Sequence, residues 1–373
     1  MKYIIFVFPI LLLTQSFALR IDDNHNKIED VLERFAKENE TLDVIVLLNS
    51  TPYMFNIKSG EVLERWSGVI KGFHAKIDSK YLYELAKNRN VTFVQMNHIY
   101  KANLDYSAEQ VRVRPYVWNL GYTGSPYYSI AILDTGVDDS HPDLVGRVIA
   151  WKDFAGVKYD IEGDEYSNAT DKNAHGTHCT GIATGDGTAS NGKYKGMSYS
   201  SKIVGVKVLD DDGIGSTSTI VDGLNWVYNN RFTYNITVVS MSFGRTSEDF
   251  SIDNAVNNLV KGGVVAVAAA GNSQGSYIGS PGTAKYAITV GAINKNDNLT
   301  NYSSTGDPGS IYTKPDVLAP GGSLKDPYKD NIASAYSSDA GGSSGNWYIG
   351  MIGTSMSAPH VSGIAELLIG AMN

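Results

Sequence analysis

Three short segments hold residue types that together could perform acyl transfer. The first, Ser129-Ile-Ala-Ile-Leu-Asp134-Thr-Gly-Val-Asp138, is an apolar run that delivers a carboxylate at its carboxyl end, where open α/β sheets place their ligands. The second is His175-Gly-Thr-His178-Cys179-Thr-Gly181, and the third is Gly353-Thr-Ser355-Met-Ser-Ala-Pro359-His360, a turn that runs into a helical stretch ending near Ile369. A serine hydroxyl is a weak nucleophile at neutral pH, so an imidazole must take its proton and a carboxylate must orient that ring and stabilise its charge. A glycine beside the serine permits close approach, and a helix amino terminus after it favours the anion formed on a carbonyl oxygen. Asp134, His175 and Ser355 fill these roles with spacings of 41 and 180 residues.

Each segment has an ordinary alternative. Asp-Thr-Gly occurs in many loops, and a serine opening a helix is usually a cap. His175 and His178 could ligate a metal, but no glutamate follows the first histidine as in zinc proteases, and Cys179 is the only cysteine, so no cysteine cluster completes a site. Cys179 also lacks a separate histidine to activate it.

The elements that must position these residues change character along the chain. Between about residues 20 and 105, helical spacing over Ile28–Glu40 and Lys80–Asn88 alternates with strand patterns at Leu42–Leu48, Val69–Ile77 and Val91–Ile99, enough for a small sheet with helices on one face. Beyond that, Ser129–Leu133, Lys202–Leu209, Thr237–Met241, Gly263–Ala270 and Ala287–Ala292 are nearly continuous apolar runs, as expected of strands covered on both faces in a parallel sheet. Ser216–Asn229 and Ile252–Lys261 carry helical spacing between them.

Charge divides at the same place. Residues 19–106 hold 12 basic and 13 acidic side chains, whereas 107–373 hold 18 and 26, so the net charge of −8 resides in the second part. That balance argues against nucleic acid as a partner. The first 18 residues read as a secretory signal: a basic start at Lys2, an apolar run from Tyr3 to Leu13, and small residues at Ser16 and Ala18. The run is shorter than the roughly 20 apolar residues needed to span a bilayer. The product is therefore expected to be secreted and extracellular, with no stable membrane span.

The three segments, in this order, resemble the active-site signatures of the subtilisin-like serine proteases. The resemblance covers about residues 107–373 and implies a three-layer α/β domain built on a parallel sheet. The region before it resembles the family's inhibitory propeptide, a small α+β ferredoxin-like domain. The expected organisation is a signal peptide at 1–18, a propeptide at 19–105 and a catalytic domain at 106–373 that looks short at its carboxyl end. Self-cleavage is expected between Lys101 and Ser107, with Leu104 or Tyr106 before the cut. The implied function is a secreted serine endopeptidase made as a self-processing precursor, acting on polypeptides through an acyl-enzyme and inhibited by its own propeptide.

The resemblance further implies Ser355 as nucleophile, His175 as general base and Asp134 as its orienter, leaving His178 structural. Ala268-Ala-Ala-Gly271-Asn272 matches the strand end bearing the oxyanion amide, so Asn272 is the expected donor, assisted by the Ser355 N–H; otherwise it is a loop asparagine. Ser242-Phe243-Gly244 and Gly213-Ile214-Gly215 resemble the two edges that pair with an extended substrate, with Gly271 in the facing wall and Gly279 at the pocket base. Small residues there imply a preference for large apolar side chains before the scissile bond. No organic cofactor is expected. Many subtilases bind calcium, and Asp210-Asp211-Asp212-Gly213 offers oxygens, although it lacks the alternation and terminal glutamate of an EF-hand and also reads as a solvated turn; the metal ligands stay unassigned. The competing function is a non-catalytic peptide-binding protein of this fold, lacking its last structural layer, with an uncovered helix face at Ile364, Leu367 and Leu368.

Overall fold

The structure is a computed structural model that describes residues 25–37, 40–67, 71–96, 104–155, 169–275, 277–306, 313–325, 327 and 330–372. The expected signal segment lies outside the described residues, as do residues 101–103 of the expected processing region. The chain forms two compact units, 1–99 and 100–373.

In the first unit α1 (Asp30–Ala36) precedes β1 (Thr41–Leu48), followed by β2 (Glu61–Trp66), β3 (Gly72–Asp78), α2 (Leu82–Ala86) and β4 (Val91–Met96). The strands pair antiparallel in the order β2-β3-β1-β4, the order of a ferredoxin-like sheet. The connection from β1 to β2 contains a 3₁₀ turn, Pro52–Met54, where that fold ordinarily has a helix. Alternation decides the buried face: Leu42, Val44, Val46 and Leu48 point inward and pack with Leu32 of α1 and with Leu82 and Leu85 of α2.

The second unit opens with α3 (Leu104–Gln110). It then alternates β5 (Ser129–Asp134), β6 (Val148–Asp153), α4 (His175–Thr184), β7 (Lys202–Lys207), α5 (Thr217–Asn230), β8 (Ile236–Met241), α6 (Phe250–Lys261), β9 (Val265–Ala269), β10 (Ile288–Ile293) and β11 (Val317–Pro320). A short antiparallel pair, β12 (Ile332–Ala335) with β13 (Tyr348–Met351), comes before α7 (Thr354–Met372). Seven strands form one sheet in the order β11-β10-β9-β8-β5-β7-β6, with every pairing parallel.

Both faces are covered, which explains the continuous apolar runs. In β5, Ala131 and Leu133 pack with Ile220 and Leu224 of α5 and Val256 of α6, while Ile130 and Ile132 pack on the other face with Ala183 of α4 and Ala358 of α7. Helix, sheet and helix make the three layers. β5 lies in the interior of the sheet between β8 and β7, all six of its residues are buried, and it ends on Asp134, so the carboxylate is carried by one of the best-anchored strands. The expected uncovered face of α7 is largely covered. Leu367 is buried and Ile364 half-buried against Ala108, Val113 and Met197, and of the three only Leu368 is exposed.

Candidate active site

Three element ends converge on one cleft. Asp134 closes β5, His175 opens α4, and Ser355 is the second residue of α7. The Asp134 carbonyl accepts N–H bonds from Val208 and Leu209 just past β7, at 3.0 and 3.2 Å, fixing the strand end. Its carboxylate Oδ1 accepts from the Thr135 N–H at 2.8 Å and from His175 Nδ1 at 2.7 Å. This places the imidazole proton on Nδ1 and leaves Nε2 able to accept one. Burial opposes protonation of the ring, but the neighbouring carboxylate and its hydrogen bond outweigh it and hold His175 well above its ordinary value.

The local backbone explains why these residue types stand here. A side chain at Gly176 would place Cβ 2.1 Å from the Gly136 carbonyl and 3.0 Å from Asp134 Cβ, so only glycine lets α4 approach β5 this closely. Asp171 organises the start of α4 although sequence reasoning passed it over. Its fully buried carboxylate accepts from the N–H groups of Asn173, Ala174 and Thr177 and from the hydroxyls of Thr135 and Thr177. One side chain thus satisfies orphan donors at the helix start and ties the residue after Asp134 to the turn carrying His175. The signal available was an aspartate four positions before the histidine.

His178 is buried and donates from Nε2 to the Ile332 and Ile349 carbonyls at 2.9 and 3.1 Å. Burial pushes its pKa down to about 3, so it is a neutral structural residue, as expected. The Cys179 thiol donates to the Ser355 carbonyl at 3.3 Å.

Ser355 Oγ donates to the Ser242 carbonyl at 2.8 Å, so the hydroxyl engages the expected substrate edge. Asn272 stands beside it. Its Oδ1 accepts from both the N–H and the hydroxyl of Thr354, at 2.9 and 3.0 Å, and Thr354 Oγ1 also accepts from the Gly271 N–H at 3.1 Å. With the amide oxygen committed to Thr354, the NH₂ is the end left to donate. Gly353, at φ 151°, has no Cβ to crowd that nitrogen, which would lie 3.2 Å away.

The cleft has a volume of about 410 Å³ and is walled by His175, Ser355, Asn272, Gly271, Ser242, Phe243, Gly244 and Gly213, among others. An adjoining groove of about 350 Å³ is lined by Ile214, Gly215, Leu209, Ile220, Phe243 and Ile252. The expected edges therefore flank one continuous trough. Gly279 is not among the residues walling either space. It packs behind Arg245, whose carbonyl oxygen a Cβ would approach to 1.9 Å, so it permits the close crossing of two backbones. Arg245, absent from the sequence reading, lines both spaces and lies 3.5 Å from Asp249.

Asp210, Asp211 and Asp212 do not converge as calcium ligands. Asp210 Oδ1 accepts from the N–H groups of Asp212 and Ile214, and Asp211 is paired with Lys207 and Lys172. Among the described residues, the side chains close enough to share an ion are Asp134, His175 and Cys179, a cluster already explained by the Asp–His bond.

The sequence profile described as the subtilase family matches residues 127–373. The chain is 31% identical to subtilisin amylosacchariticus of Bacillus subtilis subsp. amylosacchariticus over 319 residues, covering 84% of this chain and 74% of that protein. It is 32% identical to thermitase of Thermoactinomyces vulgaris over 272 residues, covering 73% and 84%. Among solved structures, sphericase aligns with a TM-score of 0.56 at 32% identity, covering 66% of this chain and 78% of that one.

Proposed function

Since the chain belongs to the subtilase family and is a serine endopeptidase, we propose that it cleaves peptide bonds through Asp134, His175 and Ser355, with Asn272 as oxyanion donor. The observation that carries this reading is the 2.7 Å bond from His175 Nδ1 to Asp134 Oδ1 at the floor of a cleft that also holds Ser355 and Asn272. An extended peptide pairs with Ser242–Gly244 on one side and Gly213–Gly215 on the other. A substrate N–H that takes the Ser242 carbonyl frees the Ser355 hydroxyl to turn toward His175 Nε2. Ser355 Oγ then attacks the scissile carbonyl carbon as its proton passes to Nε2. The carbonyl oxygen becomes an oxyanion held by the Asn272 NH₂ and the Ser355 N–H. Collapse breaks the C–N bond, and Nε2 gives its proton to the departing amine. Water, deprotonated by His175, hydrolyses the ester and returns the hydroxyl.

The protein is further proposed to be exported and made as a precursor whose residues 19–105 inhibit the enzyme until self-cleavage. Among the described residues no helix is long and apolar enough to cross a membrane. Tyr106 donates to Asp330 at 2.7 Å and the buried Ser107 hydroxyl meets His360 Nε2 at 2.9 Å, so cleavage after Tyr106 requires the first turn of α3 to detach. Calcium is common among subtilisins, but the site would lie elsewhere than Asp210–Asp212.

The test is expression of residues 19–373 with and without Ser355→Ala, following chain length and labelling by a serine-directed phosphonate. Shortening near residue 105 and labelling, both abolished by the substitution, are expected. A folded parent that shows neither would overturn the proposal in favour of a peptide-binding protein.

A further inference from the structure

Lys207 is a buried cation that the proposed chemistry does not use. It is the last residue of β7, in register with Asp134 on one neighbouring strand and Asp153 on the other, and its side chain is 4% exposed. Burying an ammonium is costly unless its donors are used, and an apolar residue would close the strand more cheaply. Its Nζ donates to the Thr135 carbonyl at 2.6 Å and to Asp211 Oδ1 at 3.0 Å.

These two partners belong to different parts of the site. Thr135 follows Asp134, its N–H donates to the same carboxylate oxygen that receives His175 Nδ1, and its hydroxyl joins the Asp171 network. Asp211 belongs to the loop that delivers Gly213–Gly215 to the cleft. That loop is stiffened by Asp210, whose Oδ1 accepts from the Asp212 and Ile214 N–H groups. It is also tied to the segment before α4, since Asn173 Nδ2 donates to the Asp211 carbonyl at 3.0 Å and Lys172 Nζ lies 3.6 Å from Asp211 Oδ2. Lys207 therefore closes a circuit through the substrate edge, the strand end bearing Asp134 and the turn bearing His175.

We propose that Lys207 is a positioning residue that couples occupancy of the Gly213–Gly215 edge to the alignment of Asp134 with His175. The proposal rests on the endopeptidase reading above. A peptide long enough to pair with the edge loads the loop; the load passes through Asp211 to Lys207 and through Lys207 to Thr135. A substrate too short to reach the edge makes no use of this path.

The experiment compares two anilides with the same phenylalanine before the scissile bond, one N-acylated directly and one extended by three further residues. In the parent, kcat is higher for the extended substrate. In Lys207→Gln this advantage in kcat should shrink about tenfold, the scale expected for a small misalignment of reacting groups, with little change in KM. Lys207→Arg, which keeps charge and donors, should restore part of it. A purely structural lysine would instead lower phosphonate-titratable sites and depress both substrates alike. Should Lys207→Gln fail to fold, Asp211→Asn, whose side chain is 51% exposed, breaks the brace from the loop side and should shrink the advantage in the same sense. An unchanged ratio of kcat values at full phosphonate titration overturns the coupling while leaving the triad intact. A parent that takes no phosphonate and cleaves neither substrate defeats the triad reading, and the coupling with it.

Discussion

Replacing Asp134 by asparagine tests the electrostatics of the site most directly. The carboxylate accepts from His175 Nδ1 at 2.7 Å, and the ring must carry a full positive charge while it holds the Ser355 proton. Taking the two charge centres to be about 4 Å apart, with an effective dielectric constant of about 20, the lost attraction is about 4 kcal/mol. At 1.36 kcal/mol per factor of ten, kcat should fall by about 10³. That lies somewhat below the loss of about 10⁴ that the aspartate-to-asparagine change costs in a chymotrypsin-type triad, a gap in the direction expected because the amide also favours the wrong tautomer. The pH profile supplies the second readout. In the parent His175 is held above its ordinary value, so activity should rise as that proton leaves, with a midpoint above 6.5. Without the carboxylate the largest cause left is burial, which lowers the value, so the acid limb should move to lower pH even as the plateau falls. The assay is kcat/KM against pH on a chromogenic peptide, normalised to folded protein. A loss below tenfold, or an acid limb that stays in place, would refute the assignment of Asp134 as the group that charges His175.

Other expectations concern the same framework. Asn272→Leu should reduce kcat by about 10²–10³ with KM little changed, as for an oxyanion donor; a KM effect alone would mean that the amide binds substrate in its ground state. Thr354→Val frees the Asn272 amide to turn, and should lower kcat in the same manner but less, as steady-state kinetics would show. Gly176→Ala should destabilise the protein by about 1–3 kcal/mol, because α4 must retreat from the Gly136 carbonyl; urea unfolding in a Ser355→Ala background, free of autolysis, measures this. Glu366 is buried on α7 with Oε1 accepting from the Ser125 N–H, and burial raises its pKa. The unfolded chain therefore releases this proton at lower pH than the folded one, so its contribution is intact below about pH 4.3 and is lost as pH rises through the raised folded value. Glu366→Gln should remove that decline and raise the urea midpoint at neutral pH; an unaltered dependence on pH would show that Glu366 does not drive it.

The chemistry of the site was legible because it sits at element ends with strong local signatures. An apolar run ending in Asp134 reads as a buried strand that must stop there, and the glycine beside the Ser355 turn reads as backbone in close approach. The covered parallel sheet was legible for the same reason, since Ala131 and Leu133 face one helix layer and Ile130 and Ile132 the other, leaving no polar side to interrupt the run. The separate small domain showed in its charge balance and alternating patterns.

What the sequence determined by itself was therefore the fold class and the class of reaction, together with a proposed set of reacting groups. The tertiary structure decided which groups hold them in place. Asp171 reaches back 36 residues to Thr135, Thr354 reaches 82 to Asn272, and Lys207 reaches 72 to Thr135, and none of these spacings leaves a periodic trace. Gly279 looked like part of the pocket and instead lets two backbones cross, while the aspartates at 210–212 looked available to a cation and are occupied by lysines and by their own turn. The apolar face of α7 looked bare because its cover, Ala108 and Val113, lies about 250 positions earlier in the chain. Local pattern records what a residue is and which way its own element faces. Who its neighbour is depends on where the chain returns, and only packing decides that.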